Sequence, residues 1–260
     1  MSVSDSDVDS QLPPLRRDCA LFLDFDGTLA EIAPRPDQVR VDAGLPGLLE
    51  RLSRALDGAV AVITGRPLQQ IDALLAPLRL PGAGLHGAQL RPLTDAAVQL
   101  DDHPDIATAR RRLNACKPAD DHVWIEDKGA VLSLHFRDAP QAAEASRRAV
   151  EAAARGLDVD VMAGKSVYEV RPHGVDKGAA IRLLMSTPVF GGRRPVFAGD
   201  DVTDEDGFAV VRSLGGLTVK VGRGDTGAQW RCVNPAALGA WLAREAARLE
   251  SADANYAATG

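Results

Sequence analysis

Two acidic side chains stand one residue apart at the end of a short apolar run, in the segment Asp24-Phe25-Asp26-Gly27-Thr28. One carboxylate in such a pair can attack phosphorus and form an acyl phosphate. The other can protonate the leaving oxygen and then activate water. An acidic turn without chemistry would have the same letters. The spacing therefore makes this pair a candidate for phosphoryl transfer.

A second segment places five acids within eight residues, GDDVTDED at positions 199–206. Carboxylates this close repel one another unless a cation binds among them, and oxygen ligands of this kind suit Mg²⁺. A solvated acidic loop at the start of a helix is the alternative. The segment follows the apolar run PVFA, and ligands of open α/β sheets bind where strands end. That position favours a metal site.

Two shorter signals lie between these segments. Thr64 ends a second apolar run, where its hydroxyl and a backbone N–H could hold a phosphoryl oxygen at a helix start. A threonine that caps the helix would give the same pattern. Lys177 stands at the start of a predicted helix, where its charge opposes the helix dipole. That position favours phosphate binding over a surface role.

The segments that carry these residues alternate between strand and helix. The apolar runs at 19–26, 58–65 and 82–87 are typical of buried parallel strands, and helical patterns follow the first two. Similar strand and helix segments resume after Lys177. This alternation predicts an α/β fold with a doubly wound, Rossmann-like parallel sheet.

The pattern changes after about residue 88. A helix is followed by a hairpin at His122–Arg137, a second helix and two more strands. This order predicts a small α+β lobe at residues 90–165, inserted into a core formed by residues 15–89 and 166–260. Residues 1–14 are polar and acidic, and we expect them to form a disordered tail.

The overall composition limits the classes of partner. The chain has 260 residues, 45% of them hydrophobic, which is enough to bury a large core. The net charge of −6 argues against a nucleic-acid partner. Residues 1–14 have neither the basic start nor the apolar stretch that is typical of a signal peptide, and we expect no membrane-spanning segment because no apolar run in the sequence is long enough. We expect a soluble, cytoplasmic monomer that acts on a small molecule and binds neither nucleic acid nor membranes.

Four segments carry the candidate residues, and together and in this order they resemble the haloacid dehalogenase (HAD) superfamily of phosphatases. They are DFDGT, the segment at Thr64, the segment at Lys177, and GDDVTDED. The resemblance implies that Asp24 is the nucleophile and that Asp26 is the general acid and base. It also implies that Thr64 and Lys177 bind the transferring phosphoryl group. The inserted lobe resembles the α+β cap of that superfamily.

The same resemblance implies a Mg²⁺ cofactor. Its ligands would be Asp24, the backbone carbonyl of Asp26, and Asp200, with Asp204 or Asp201 close by. The two acidic segments thus account for all of the implied ligands.

Longer segments of the sequence resemble one particular family within this superfamily. The segments DFDGTLAEIAPRPD, ITGRP, GLHGAQ, EDKGAVLSLHFR, YEVRPHGVDKG and GDDVTDED resemble the trehalose-6-phosphate phosphatases, over about Leu21 to Glu205. This resemblance implies hydrolysis of trehalose 6-phosphate through an aspartyl phosphate. It also implies a set of substrate-binding residues in the core and the cap: Gly65, Arg66, His86, Lys128, His135, Arg137, Glu169, Arg171, Asp201 and Asp204.

Two other functions stay open on the sequence. A phosphatase for sucrose 6-phosphate or a phosphorylated hexose would use the same core chemistry, because the cap decides the sugar. A non-catalytic sugar-phosphate sensor, or a regulatory domain of a trehalose-synthesis complex, would be expected to carry a damaged acid pair. Asp24 and Asp26 are both present, which argues against that second class.

Overall fold

The structure is a computed structural model that describes residues 12–33, 38–100, 103–164 and 166–257. Most of the tail predicted at residues 1–14 lies outside the described residues. Internal contacts divide the chain into two units. The core unit comprises residues 1–87, 91–97 and 176–260, and the inserted unit comprises residues 88–90 and 98–175.

The described residues form strands and helices that alternate along much of the chain. The strands are β1 (Cys19–Leu23), β2 (Val60–Ile63), β3 (Gly82–Gly84), β4 (Gln89–Arg91), β5 (Gln99–Leu100), β6 (Trp124–Asp127), β7 (Leu132–His135), β8 (Val159–Gly164), β9 (Val167–Pro172), β10 (Arg194–Gly199), β11 (Leu217–Val221) and β12 (Trp230–Cys232). The helices are α1 (Leu45–Ala55), α2 (Leu68–Leu75), α3 (Pro104–Cys116), α4 (Ala143–Ala154), α5 (Lys177–Met185), α6 (Asp204–Ser213) and α7 (Pro235–Ala257). None of these described helices has the length and apolar character needed to cross a membrane.

The sheet of the core unit is parallel, with strand order β12-β11-β10-β1-β2-β3. All residues of β1, β2 and β11 are buried, as expected for strands with helices on both faces. Strand β1 lies between β2 and β10, so the strand order reverses beside it. Ligands of such sheets bind at the carboxyl ends of the strands near this reversal. The predicted doubly wound α/β core is confirmed.

The helices of the core unit bury one face and begin near the carboxyl ends of strands. Helix α1 buries Leu45, Leu49 and Leu52, whose spacing places them on one side of the helix. Helix α5 begins after Asp176, whose side chain accepts a hydrogen bond of 2.7 Å from the backbone N–H of Ala179. Helices α5 and α6 start at Lys177 and Asp204, so the first residue of each helix is a candidate site residue.

The inserted unit has its own antiparallel sheet, with strand order β6-β7-β9-β8. Helices α3 and α4 pack together, and their buried Leu113 and Val150 share an apolar core with Leu132 of β7. The hairpin predicted at His122–Arg137 is confirmed by the pairing of β6 with β7. The sequence prediction assigned residue 166 onwards to the core, whereas β9 pairs within the sheet of the inserted unit.

Candidate active site

A buried ammonium group lies between two carboxylates in the core unit. Lys177 Nζ is 2.8 Å from Asp24 Oδ1 and 2.7 Å from Asp204 Oδ1. Asp24 directly follows β1, while Lys177 and Asp204 are the first residues of α5 and α6. All three side chains are buried. The two ion pairs therefore fix the Asp24 carboxylate at the carboxyl end of the central strand.

Asp204 also shapes the acidic loop before α6. Its Oδ2 accepts hydrogen bonds from the backbone N–H groups of Asp200 (2.8 Å) and Asp201 (2.9 Å). The residue has 0% exposed surface. Sequence reasoning placed Asp204 among the substrate-binding residues, but its burial and its three bonds favour a role in holding Lys177 and the loop.

Three carboxylates of this site could hold a metal ion. Asp24, Asp200 and Asp204 each offer an oxygen, and these oxygens lie within 4.8 Å of one another. Asp201 has a different partner, because its Oδ1 accepts hydrogen bonds from the backbone N–H and the hydroxyl of Thr203, at 2.8 and 2.6 Å. The structure thus separates the two adjacent acids of the loop, which the sequence alone could not do.

The electrostatics of the site favour a bound cation. Burial raises the pKa of Asp24 to about 7, against the opposing effect of Lys177. Burial raises the pKa of Asp204 to about 7 and that of Asp200 to about 6, and neighbouring carboxylates add to both shifts. Burial disfavours the charge on Lys177, but Asp24 and Asp204 outweigh that effect and raise its pKa. One lysine faces an excess of negative charge, which a divalent cation would offset.

Asp200 is held by residues that sequence reasoning did not single out for roles. Thr28 Oγ1 donates to Asp200 Oδ1 at 3.3 Å, and the buried Lys220 donates from Nζ to the Asp200 backbone carbonyl. Gly27 has a φ of 80°, and a Cβ built there would lie 2.1 Å from Asp200 Oδ2. The sequence could have drawn attention to Lys220, because it is the only charged residue in the apolar strand β11. Such contacts fix the direction of the Asp200 carboxylate.

Asp26 forms a two-point ion pair with Arg66. Arg66 Nε lies 2.6 Å from Asp26 Oδ2, and Arg66 Nη2 lies 2.7 Å from Asp26 Oδ1. The backbone N–H of Arg66 donates to Thr64 Oγ1 at 3.1 Å. The sequence analysis placed Arg66 among the predicted substrate-binding residues. The structure shows its guanidinium on Asp26, an arrangement that orients this carboxylate.

Thr64, Gly65 and His86 lie together at the carboxyl ends of β2 and β3. The backbone N–H of His86 donates to the Thr64 carbonyl at 3.0 Å. A Cβ at position 65 would lie 2.6 Å from His86 Nε2, so a larger residue there would displace the imidazole ring from its present position. The fold therefore brings these three predicted site residues to the same edge of the sheet as Asp24.

Three predicted substrate residues of the inserted unit share one face of its sheet. Lys128 Nζ lies 3.2 Å from Glu169 Oε1, which also accepts a hydrogen bond of 2.7 Å from the Ser133 hydroxyl. His135 Nε2 lies 2.9 Å from Glu126 Oε2. The cluster combines carboxylates, an ammonium, a hydroxyl and an imidazole, the groups that bind sugar hydroxyls by hydrogen bonds.

The other two predicted residues of this unit differ in burial. Arg171 of β9 is buried and lies opposite Asp160 in β8. Burial opposes the charge on Asp160, but the hydrogen bond from His173 and, to a smaller extent, the charge of Arg171 lower the pKa of that carboxyl. Arg171 lies two residues from Glu169 on the same face of β9 and so adjoins the cluster around Glu169. Arg137 lies in the exposed segment after β7.

Comparisons with known proteins identify relatives of this chain that are phosphatases by name. The family model described as trehalose-phosphatase matches residues 22–232. The chain is 41% identical, over 238 residues, to a protein named trehalose-6-phosphate phosphatase in Escherichia coli (strain K12). That match covers 90% of this chain and 88% of the relative. The residues matched by the family model include both acidic segments that form the site.

Solved structures share the fold. A crystal structure of a trehalose-6-phosphate phosphatase related protein has a TM-score of 0.72 and 28% identity, and it covers 89% of this chain and 99% of its own. The C-terminal domain of the trehalose-6-phosphate phosphatase of C. albicans has a TM-score of 0.74 at 22% identity, over 90% of this chain and 98% of that domain. At that identity the second likeness concerns the fold alone. From the family model and the E. coli relative, the chain belongs to the trehalose-phosphatase family.

Proposed function

We propose that this chain hydrolyses trehalose 6-phosphate to trehalose and inorganic phosphate, in two steps through a phosphoryl group on Asp24. The observation that carries the proposal is the position of Asp24 at the end of the central strand, bound to buried Lys177 beside Asp200 and Asp204. The E. coli relative named trehalose-6-phosphate phosphatase supports the identity of the substrate.

In the first step the carboxylate of Asp24 forms a bond to phosphorus, and the bond from phosphorus to the sugar oxygen breaks. For this step Asp26 must first take up a proton, which requires one of its oxygens to leave the Arg66 contact. It gives that proton to the departing oxygen, which leaves as the trehalose hydroxyl. Lys177 keeps Asp24 in place and offsets the negative charge that collects as the phosphate binds. Thr64 supplies a hydroxyl at the end of β2 for a phosphoryl oxygen.

In the second step water attacks the aspartyl phosphate. Asp26, ionised by the first step, takes the proton of that water, and the bond from phosphorus to Asp24 breaks. The products are inorganic phosphate and the restored Asp24 carboxylate. In the ionised state, the two hydrogen bonds from Arg66 hold the Asp26 carboxylate near the end of β1.

The donor set of the site fits Mg²⁺, which prefers hard oxygen ligands. We assign it to the Asp24 and Asp200 carboxylates and the backbone carbonyl of Asp26, where it would neutralise charge on the phosphoryl oxygens. Asp204 offers the remaining nearby carboxylate. Burial is the main cause of the raised pKa values of these acids, and neighbouring carboxylates add to it. A cation at this place would favour their ionised forms.

The face around Glu169 in the inserted unit supplies the sugar specificity in this proposal. Lys128, Glu169 and His135 present charged and polar groups that can bind hydroxyls of a disaccharide. Other sugar phosphates would meet the same catalytic residues but a different fit at this face. Substrate identity therefore has to be tested separately from phosphatase chemistry.

The test is phosphate release from trehalose 6-phosphate, sucrose 6-phosphate, glucose 6-phosphate and 4-nitrophenyl phosphate, each with Mg²⁺ and with a chelator. We expect trehalose 6-phosphate to have the highest kcat/KM and the chelator to abolish turnover. Asp18→Asn, which removes an exposed acid, is the control for Asp24→Asn. A higher kcat/KM for another sugar phosphate would refute the substrate, and full activity of Asp24→Asn would refute the mechanism.

We also propose that the enzyme acts in the cytoplasm as a monomer, as expected from the sequence. The proposed substrate is a small, charged, water-soluble molecule, which fits that location. Size-exclusion chromatography with light scattering measures the oligomeric state, and a dimer mass would contradict the proposal.

A further inference from the structure

Trp124 stands out among the aromatic residues of the inserted unit. It is 49% exposed, whereas Trp241 of the core unit is 2% exposed. It belongs to β6, the strand at one edge of the four-stranded sheet. Single exposed apolar side chains are common on protein surfaces, so exposure alone carries no function. The surroundings of Trp124 decide what the side chain can do.

The indole ring of Trp124 is supported by a second ring. Trp124 lies opposite His135 in the pairing of β6 with β7, and the two rings stack with centroids 4.2 Å apart and an angle of 16° between their planes. His135 is in turn bound to Glu126 at 2.9 Å. A ring held in this way loses little conformational freedom when a ligand binds to it.

Trp124 lies on the polar face of the sheet. Ile125, the next residue, packs against the apolar core of the unit, so Trp124 points to the opposite face. Glu126, Ser133 and Glu169 form the neighbouring row of cross-strand pairs on that face. Rows on one face are roughly 7 Å apart along a strand. An indole surface therefore adjoins the cluster of hydroxyl-binding groups.

This combination matches the chemistry of a sugar ring, which has hydroxyls on its rim and C–H groups on its faces. Carboxylates and ammonium groups bind the hydroxyls, while an aromatic face packs against the C–H groups and excludes water from them. The edge position of β6 leaves the indole accessible. Trp124 and the cluster beside it thus offer both kinds of contact on one surface.

We infer that Trp124 is a sugar-stacking residue, which binds a glucose ring of the substrate and thereby positions it. The inference rests on the proposed function for the identity of the substrate. Neither the family match nor the acidic motifs pointed to this residue, because position 124 lies before the EDKG segment and carries no catalytic group.

Two variants and two substrates test the inference. Trp124→Ala removes the stacking surface, and Trp124→Phe keeps a smaller one. We expect the ratio of kcat/KM for trehalose 6-phosphate to kcat/KM for 4-nitrophenyl phosphate to fall about tenfold in the alanine variant, or ~1.4 kcal/mol. The phenylalanine variant should recover most of that loss. Val161→Ala is the matched control, because Val161 is an exposed apolar residue opposite the buried Val170 on the other face of the sheet.

A binding measurement adds a readout independent of turnover. Trehalose added to the wild-type chain should change the tryptophan emission, because a half-exposed indole loses water when a sugar covers it. The change should disappear in Trp124→Phe. An unaltered substrate ratio in the alanine variant, equal losses on both substrates, or the same emission change in the phenylalanine variant would each overturn the inference.

The two proposals fail in different ways. Trehalose binding that depends on Trp124, without hydrolysis of trehalose 6-phosphate, would refute the proposed function and support the stacking role. Hydrolysis of trehalose 6-phosphate at an unchanged substrate ratio in Trp124→Ala would support the function and refute the stacking role.

Discussion

Arg66 binds both carboxylate oxygens of Asp26, at 2.6 and 2.7 Å, from the loop that follows the neighbouring strand β2. The pair joins the ends of two parallel strands at the edge of the sheet where Asp24 lies. Only 11% of the Arg66 side chain and 35% of the Asp26 side chain are exposed. A two-point contact of this kind fixes the plane of a carboxylate as well as its position.

The first prediction follows from that contact. In Arg66→Ala the Asp26 carboxylate is free to rotate, and we expect kcat for trehalose 6-phosphate to fall on the order of 10²-fold, with a smaller loss on 4-nitrophenyl phosphate. Arg79→Ala, which removes an arginine from a more exposed pair with Asp72, should change little. A rise in KM on both substrates with unchanged kcat would instead assign Arg66 to phosphate binding.

The second prediction concerns proton transfer by Asp26. Asp26→Asn can neither protonate the sugar oxygen nor deprotonate water, and positioned acid/base groups contribute roughly 10²–10⁴-fold. We expect a loss in that range for trehalose 6-phosphate. A pre-steady-state burst of nitrophenol should persist, because nitrophenolate leaves without a proton. Equal damage to phosphorylation by both substrates would contradict the assignment.

The third prediction separates the nucleophile from a metal ligand. We expect Asp24→Asn and Asp200→Asn each to lose about 10³-fold or more in kcat/KM, equivalent to ~4 kcal/mol. Higher Mg²⁺ concentrations should restore part of the activity of Asp200→Asn, because its nucleophile is intact. The same titration should leave Asp24→Asn inactive, and recovery of that variant would exclude Asp24 as the attacking group.

The fourth prediction concerns stability and pH. Asp24, Asp200 and Asp204 have raised pKa values, so the folded chain holds their protons more tightly than the unfolded chain does. Their contribution to the free energy of unfolding is present below about pH 4 and is lost as the pH rises to about 7. Mg²⁺ binds the ionised carboxylates, so the Tm increase that it causes should be larger at about pH 7.5 than at about pH 5.

Thermal unfolding with and without Mg²⁺ at both values measures this effect. Asp200→Asn is the comparison variant, because asparagine has the shape of aspartate but lacks its charge, and its Tm should respond less to Mg²⁺. An equal Tm increase at both pH values would contradict the placement of the cation among these carboxylates.

The fifth prediction concerns the cluster on the sheet of the inserted unit. Lys128→Ala and Glu169→Ala should each lower kcat/KM for trehalose 6-phosphate by about 10²-fold, or ~2.7 kcal/mol, with little change on 4-nitrophenyl phosphate. Arg148→Ala removes an exposed charge from α4 of the same unit and serves as the control. Equal losses on both substrates would indicate unfolding, and unchanged kinetics would remove the pair from the substrate site.

Much of the architecture followed from patterns within short segments. The apolar runs predicted buried parallel strands because side chains on both faces of β1 and β2 had to be apolar. The alternating segment at His122–Arg137 predicted a hairpin in the inserted unit, and β6 pairs with β7 as expected. Position at a strand end also marked Asp24 and Thr64, because the loops at that edge of a parallel sheet share one crevice.

The sequence by itself determined the class of fold, the strand-end acids and, through their joint order, the family. Only the tertiary structure decided which side chains contact one another. Asp204 rather than Asp201 joins the group around Asp24, Arg66 binds Asp26, and Trp124 stacks on His135. Spacing along a chain fixes which residues are near in sequence. The direction of a side chain in a loop, and its partner from a distant segment, depend on how the strands and helices pack.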